Sequence, residues 1–219
     1  MTRTTVPLTL DLLEELDPPC RTCLFWEREP VHRAGLDPEQ RARDKEAWYS
    51  EVLREWGSCG RIALVDGEPV GQLVYAPAAF VPGAAAFATA PVSADAVLMT
   101  TAWVRPDLAG TGLGRLLVQG MARDLVGREG VRAVEAFART GRPPRGAGPE
   151  CVVPVQFLAR VGFKTHRAHP LTPRMRMEMR SLVTWRDEME AAWERIVGAV
   201  RRPTHSPAPV SREARSPRP

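Results

Sequence analysis

The chain has 219 residues, of which 44% are hydrophobic and 26% charged, with a formal net charge of +4. That length suits one α/β domain with additions, and no run of about eighteen apolar residues exists to cross a bilayer. Arg201, Arg202, Arg212, Arg215 and Arg218 against Glu213 carry the whole excess, so the rest is neutral and a nucleic-acid face on the domain is not expected.

Taken in order, residues 1–16 carry Thr, Asp and Glu where a secretory leader must be apolar, so a cytoplasmic protein is expected. Residues 7–10 read as a short strand and 10–16 as a helix with Leu12, Leu13 and Leu16 on one side, ended by Pro18 and Pro19. Cys20-Arg21-Thr22-Cys23-Leu24-Phe25-Trp26-Glu27 then gathers thiols, aromatics and one carboxylate. Cys20 and Cys23 have the spacing of half a zinc site or of a redox pair. A second close pair is absent, and Cys59, Cys151, His32, His166 or His169 would have to come from afar, so no metal is expected. Phe25 and Trp26 read equally as core.

Residues 30–40 read as loop and 41–56 as a helix with Ala47, Trp48, Val52 and Trp56 in a stripe closed by Gly57. Strands at 61–65 and 70–75 are joined by Asp66-Gly67-Glu68-Pro69, a strong hairpin signal. Residues 76–91, rich in Ala with Pro77, Pro82 and Pro91, read as a surface loop.

Residues 96–104 are apolar and β-branched and are cut off by Pro106, which cannot donate to a ladder, so a mostly buried strand is expected. Ala109-Gly110-Thr111-Gly112-Leu113-Gly114 follows, and Leu113, Leu116, Leu117, Met121 and Leu125 recur at helical spacing. A strand at 131–137 completes a strand, glycine loop, helix, strand unit. Glycines at a helix start allow positive φ and close approach, while first-turn amides lack intrahelical partners at the positive end of the dipole. Such a turn suits an anion, most often phosphate, although glycines also serve plain tight turns. A Walker A loop would need Lys after the last glycine, and Arg115-Leu116 stands there; the dinucleotide fingerprint would need glycine at Arg115.

Val104-x-Pro106-x-x-x-Gly110-x-Gly112-x-Gly114 resembles motif A of the GNAT N-acetyltransferase superfamily. The resemblance implies a mixed, mostly antiparallel central sheet flanked by helices, an α/β (α+β) fold, with loop amides on the pyrophosphate of acetyl-coenzyme A. The preceding strand's backbone would pair with the pantetheine arm. Trp103, Val104, Ala109, Gly110, Thr111, Gly112, Leu113, Gly114 and Arg115 are therefore the expected binding residues. The family's Arg or Gln falls at Ala109, which removes one phosphate-facing side chain; Arg115 could supply charge instead.

Residues 139–149 read as a flexible loop and 152–161 as a short helix ending at Gly162. Phe157-Leu-Ala-Arg-Val-Gly-Phe163 resembles the superfamily's F-Y-x-x-x-G-F motif, with Leu158 where a tyrosine often protonates the departing thiolate. Strands at 163–168 and 174–180 close the sheet, the second with its methionines on one face. Residues 1–180 are thus expected to form the acetyltransferase domain and 181–200 an extra C-terminal helix, striped by Leu182, Trp185, Met189, Trp193, Ile196 and Val200, that packs on the domain or, on the sharper reading, makes a homodimer contact. The tail 201–219, with five prolines and no apolar cluster, is expected to be disordered.

The expected activity is transfer of acetyl from acetyl-coenzyme A, as co-substrate, to a primary amine by direct attack on the thioester. By the resemblance, residues 20–27 lie beside the thioester, which makes Glu27 the candidate for the group that takes the amine's proton. The alternatives are a coenzyme A-binding module without turnover, or a Cys-ligated zinc or redox protein.

Overall fold

The computed structural model of this chain describes residues 1–141 and 152–179. The helix expected at 182–200, the tail from 201, most of the loop 139–149 and Cys151 lie outside them.

Thr4, Thr5 and Val6 are β-branched and form the first strand, β1 (Arg3–Pro7), antiparallel to β2 (Gly60–Val65). Pro7 therefore ends a strand rather than beginning one, which corrects the expected strand at 7–10. The helix α1 (Leu10–Glu14) starts where the Thr9 hydroxyl accepts from the Leu12 amide. Residues 30–40, expected to be loop, hold a turn of helix, α2 (Pro30–Arg33), and the start of α3 (Pro38–Glu55). The signal was present: Asp37 caps the Gln40 amide and Pro38 occupies the first helical position, where its missing N–H costs nothing.

β2 turns into β3 (Glu68–Pro77) at Asp66 and Gly67, whose φ values of 50° and 93° are those of a tight two-residue hairpin. β3 pairs antiparallel with β4 (Ala96–Val104), and β4 runs parallel to β5 (Ala133–Arg139). Between them lies α4 (Leu113–Leu125), whose buried Leu113, Leu117, Met121 and Leu125 repeat at helical spacing. The chain continues through a two-residue strand, β6 (Val153–Pro154), then α5 (Val155–Arg160), β7 (Lys164–Arg167) and β8 (Arg174–Glu178). The sheet order is β1-β2-β3-β4-β5-β8-β7, with β6 beside β5 and antiparallel pairing everywhere except β4–β5 and β5–β6. α5 ends at Gly162, φ 107°, where the Phe163 amide reaches back to the Leu158 carbonyl at 3.0 Å.

Two apolar layers cover the sheet. On one face α4 packs on Leu73, Tyr75, Val97, Met99, Val134, Met175 and Met177; on the other, α3 and the segment around Trp26 pack on Ile62, Val74, Leu98 and Phe137. Residues 76–91 belong to this second layer rather than to the surface. Val81, Gly83 and Ala84 are buried, and an added Cβ at Gly83 would stand 2.1 Å from the Phe25 carbonyl oxygen, so small residues are what let this turn dock there.

Candidate functional site

Parallel pairing of β4 and β5 covers only Ala96 to Leu98 against Ala133 to Glu135. Beyond Leu98 the two strands part. The far side of β5 stays engaged, with the Ala138 amide on the Pro173 carbonyl at 2.9 Å, so β6 takes the side turned toward β4. Met99 to Val104 thus presents a strand edge without a strand partner among the described residues. The register against β3 slips at Thr100: Val74 faces Thr101 while Tyr75 faces Met99. This bulge switches which residues face which layer. Val97 and Met99 face α4 before it, Ala102 and Val104 after it, and Trp103 is turned to the opposite layer.

The strand edge leads into the glycine loop. Gly110 and Gly112 sit at φ 79° and 93°, which only glycine adopts without strain, and an added Cβ at either would meet nothing within 4 Å. The left-handed Gly112 caps α4 without a side chain, so first-turn donors stay open. The amides of Gly110, Gly112, Leu113, Gly114 and Arg115 have no hydrogen-bond acceptor among the described residues. The neighbouring amides of Ala109 and Thr111 are used inside the loop, on the carbonyls of Pro106 and Leu108 at 3.2 and 3.4 Å. Arg3 braces the turn through Thr111 O at 2.6 Å, and Arg115 reaches the Arg160 carbonyl at 3.2 Å. Five open amides, backbone free of side chains and a dipole's positive end fit a diphosphate. Leu158, in the motif position of the tyrosine, is buried in the α4 layer.

The segment carrying Glu27 lies on the other face. Gln72, paired with Trp103, donates to the Cys20 sulfur at 3.4 Å, while Trp26 lies 6.3 Å from Phe137 on β5. Residues 20–26 therefore reach from β3 to β5 across the parted half of β4. Aromatic rings lock them: Phe87 stacks on Trp26 at 5.3 Å and on Phe137 at 4.3 Å, and Phe25 meets Trp26 edge-on at 4.9 Å. The Gly83 amide donates to the Trp26 carbonyl and Trp48 Nε1 to the Phe80 carbonyl, clamping the segment between α3 and the turn at 78–86.

Glu27 is buried, with Oε1 in a hydrogen-bonded ion pair with Lys45, which also donates to the Cys23 carbonyl at 3.0 Å. Burial alone would lower the Lys45 pKa; the attraction of Glu27, its hydrogen bond and the neighbouring Tyr49 together outweigh it and raise it well above the usual lysine value, so Lys45 stays a cation. Burial pushes the Cys20 thiol up, against a smaller pull from Lys45, and holds it as the thiol rather than the thiolate. Among the described residues no group of three or more His, Cys, Asp or Glu stands close enough to hold a metal ion.

The spacing of the glycines announced the loop, and the sequence cluster at 20–27 marked the segment that crosses the opposite face. Lys45 went unnoticed because its partner is eighteen residues away and it lies on a helix rich in charge. A second ionic group was also missed. Glu135 on β5 is wholly buried, accepts from the Ser93 amide and hydroxyl, and meets Arg174 and Arg176 at 3.2 Å each.

An open row of amides at a helix mouth, running into a strand edge without a strand partner among the described residues, suits a ligand that joins a diphosphate to an extended arm. The model of the acetyltransferase (GNAT) family matches residues 12–144, and the chain belongs to that family. No curated protein matches the sequence. Among solved structures the chain is similar to the PaiA N-acetyltransferase of Thermoplasma acidophilum in complex with coenzyme A, at 14% identity and TM-score 0.49, over 81% of this chain and 99% of that one. An acetyltransferase of Thermus thermophilus is similar at 20% identity and TM-score 0.46, over 81% and 97%. A chimera of the spermidine N-acetyltransferase SpeG of Vibrio cholerae with hSSAT gives 10% identity and TM-score 0.50, over 83% and 98%. At these identities the likeness is one of fold. No helix among the described residues is long and apolar enough to cross a membrane.

Proposed function

We propose that the protein moves an acetyl group from acetyl-coenzyme A to a primary amine by direct attack on the thioester. The observation that carries this reading is the set of open amides at Gly110 and Gly112 to Arg115, continuous with the free edge of β4. In it the loop receives the diphosphate, and the backbone of Trp103 and Val104 receives the arm and polarises the thioester carbonyl. Acetyl-coenzyme A, when bound, would supply the activated acyl group. The chain's own residues hold the two reactants in one cleft, so most of the acceleration comes from proximity.

A bond forms between the amine nitrogen and the carbonyl carbon, the carbon–sulfur bond breaks, and the attacking nitrogen gives up a proton to solvent as the departing thiolate takes one up. An amine arriving as ammonium must first lose a proton, and the free oxygen of Glu27 is the acceptor proposed for it. With Leu158 at the tyrosine position, the leaving thiolate draws its proton from solvent. In this reading the protein works in the cytoplasm.

Calorimetry with acetyl-coenzyme A, followed by thiol release over a panel of amines, tests the proposal. Binding with turnover supports it. Tight binding without turnover favours a coenzyme A-binding module, and stoichiometric zinc by elemental analysis without coenzyme A affinity would move the assignment to Cys20 and Cys23.

A further inference from the structure

Buried polar side chains nearly always find hydrogen-bond partners, because an unpaired one has given up its water for nothing. Among the described residues, five buried side-chain atoms have none: Trp26 Nε1, Glu27 Oε2, Gln72 Oε1, and Nε and Nη1 of Arg174. All five belong to one face of the sheet. Trp26 is in the layer opposite α4, with Glu27 next in the chain; Gln72 meets Cys20 of the same segment. Arg174 alternates with Met175, which faces the α4 layer, and so turns to the opposite one.

Acceptors and donors are segregated across that face. Glu27 and Gln72 both neighbour the Cys20 thiol, and Gln72 is paired with Trp103, next to the strand edge where the thioester would lie. Arg174 stands opposite Phe137 in the β5–β8 ladder, and the Phe137 ring lies 6.3 Å from Trp26. Charge is segregated in the same way. Arg174 Nη1 is 3.2 Å from Glu135 Oε2 without hydrogen-bond alignment, whereas Arg176 donates to Glu135 directly. His166 Nε2 borders the same carboxylate at 3.8 Å. Asp95 and Glu178, which share Arg176, have side chains 40% and 54% exposed, so the buried part holds two guanidiniums against one carboxylate.

We propose that the acceptor is a small zwitterion: its amine is received by Glu27 Oε2 and Gln72 Oε1 beside Trp103, and its carboxylate by Arg174 with Trp26 Nε1. This rests on the acetyl-transfer reading and names its substrate class. A guanidinium with open donors recognises a carboxylate by direction as well as by charge. The anionic end fixes how far the amine reaches toward the thioester, and Arg174 is thereby a specificity-determining residue.

The test compares α- and ω-amino acids with their methyl esters and with the matching alkylamines, following thiol release from acetyl-coenzyme A. The zwitterions are expected to exceed their esters in kcat/KM by on the order of a hundredfold, the loss expected when an analogue leaves a buried donor unsatisfied. Arg174→Lys keeps a cation beside Glu135 and is expected to raise KM for zwitterions about tenfold while leaving KM for the alkylamines unchanged; thermal unfolding checks that the variant is folded. Preference for carboxylate-free amines, polyamines or lysine peptides overturns the proposal and leaves the acetyl-transfer reading intact, as does an Arg174→Lys effect equal on all acceptors. Binding of acetyl-coenzyme A with no zwitterion acetylated overturns it too, and failure of acetyl-coenzyme A to bind brings down both readings.

Discussion

Replacing Lys45 by Met removes the cation from a pair whose side chains are 8% and 2% exposed. The lysine's hydrogen bonds to Glu27 and to the Cys23 carbonyl go with it, and Glu27 is left as a buried charge without compensation. Breaking such a pair from one side costs about 3–5 kcal/mol. For a chain of this size that lowers Tm by roughly 6–20 °C, at about 2–4 °C per kcal/mol. Pairing Lys45→Met with Glu27→Leu removes both charges and should recover most of the loss, since apolar replacement of a buried pair is often close to neutral. The two roles then separate. Calorimetric unfolding of the single and double variants measures the structural role, and thiol release measures the other: the double variant should be folded, bind acetyl-coenzyme A, and fail to acetylate amines because Glu27 is gone. A Lys45→Met cost under about 1 kcal/mol, the range of an exposed pair, would refute the buried pairing; full activity in the double variant would refute the part given to Glu27.

Three further outcomes are expected. Gly112→Ala puts a side chain at φ 93° in otherwise open space, so its cost of about 1–2 kcal/mol is conformational; acetyl-coenzyme A affinity should fall while the amine KM does not change, by calorimetry and kinetics. Gly83→Ala sets a Cβ 2.1 Å from the Phe25 carbonyl oxygen, and because backbone meets backbone the segment at 20–27 must shift, raising the acceptor KM more than that for acetyl-coenzyme A. Burial raises the Glu135 pKa, but the Ser93 hydrogen bonds together with Arg174 and Arg176 outweigh it and bring it below the ordinary 4.5. A carboxylate depressed in the folded state adds stability above its unfolded pKa and loses it as pH falls through the folded value. Glu135→Gln should therefore flatten the fall of stability below pH 4.5 relative to the parent, as read by unfolding at stepped acidic pH.

What could be read from the sequence was local. Asp66-Gly67 requires its turn wherever it sits, and the glycines at 110, 112 and 114 opening an apolar-striped helix specify a loop whatever surrounds it. The methionines alternating along β8 likewise gave their face correctly, with Met175 and Met177 both in the α4 layer. What escaped depends on residues far apart in the chain. The turn at 78–86 looked like surface because Ala and Gly carry no hydrophobic pattern, yet their smallness is what allows the contact with Phe25 and Trp26. Lys45 and Glu27, and Glu135 with Arg174 and Arg176, are charges in positions where charge is rare, and only the fold shows which partners they meet. In the candidate site, the loop was legible because its chemistry is backbone; the polar face opposite it was not, since its members come from the segment after α1, β3 and β8.

The central claim is that the amides of Gly110 and Gly112 to Arg115 receive a diphosphate. Nitrogen-15 amide spectra of the protein, titrated with acetyl-coenzyme A, test it most directly. The account predicts that these five resonances move most and that inorganic pyrophosphate, added in excess, moves the same set. Binding of acetyl-coenzyme A that leaves them in place, or shifts centred elsewhere, would contradict it.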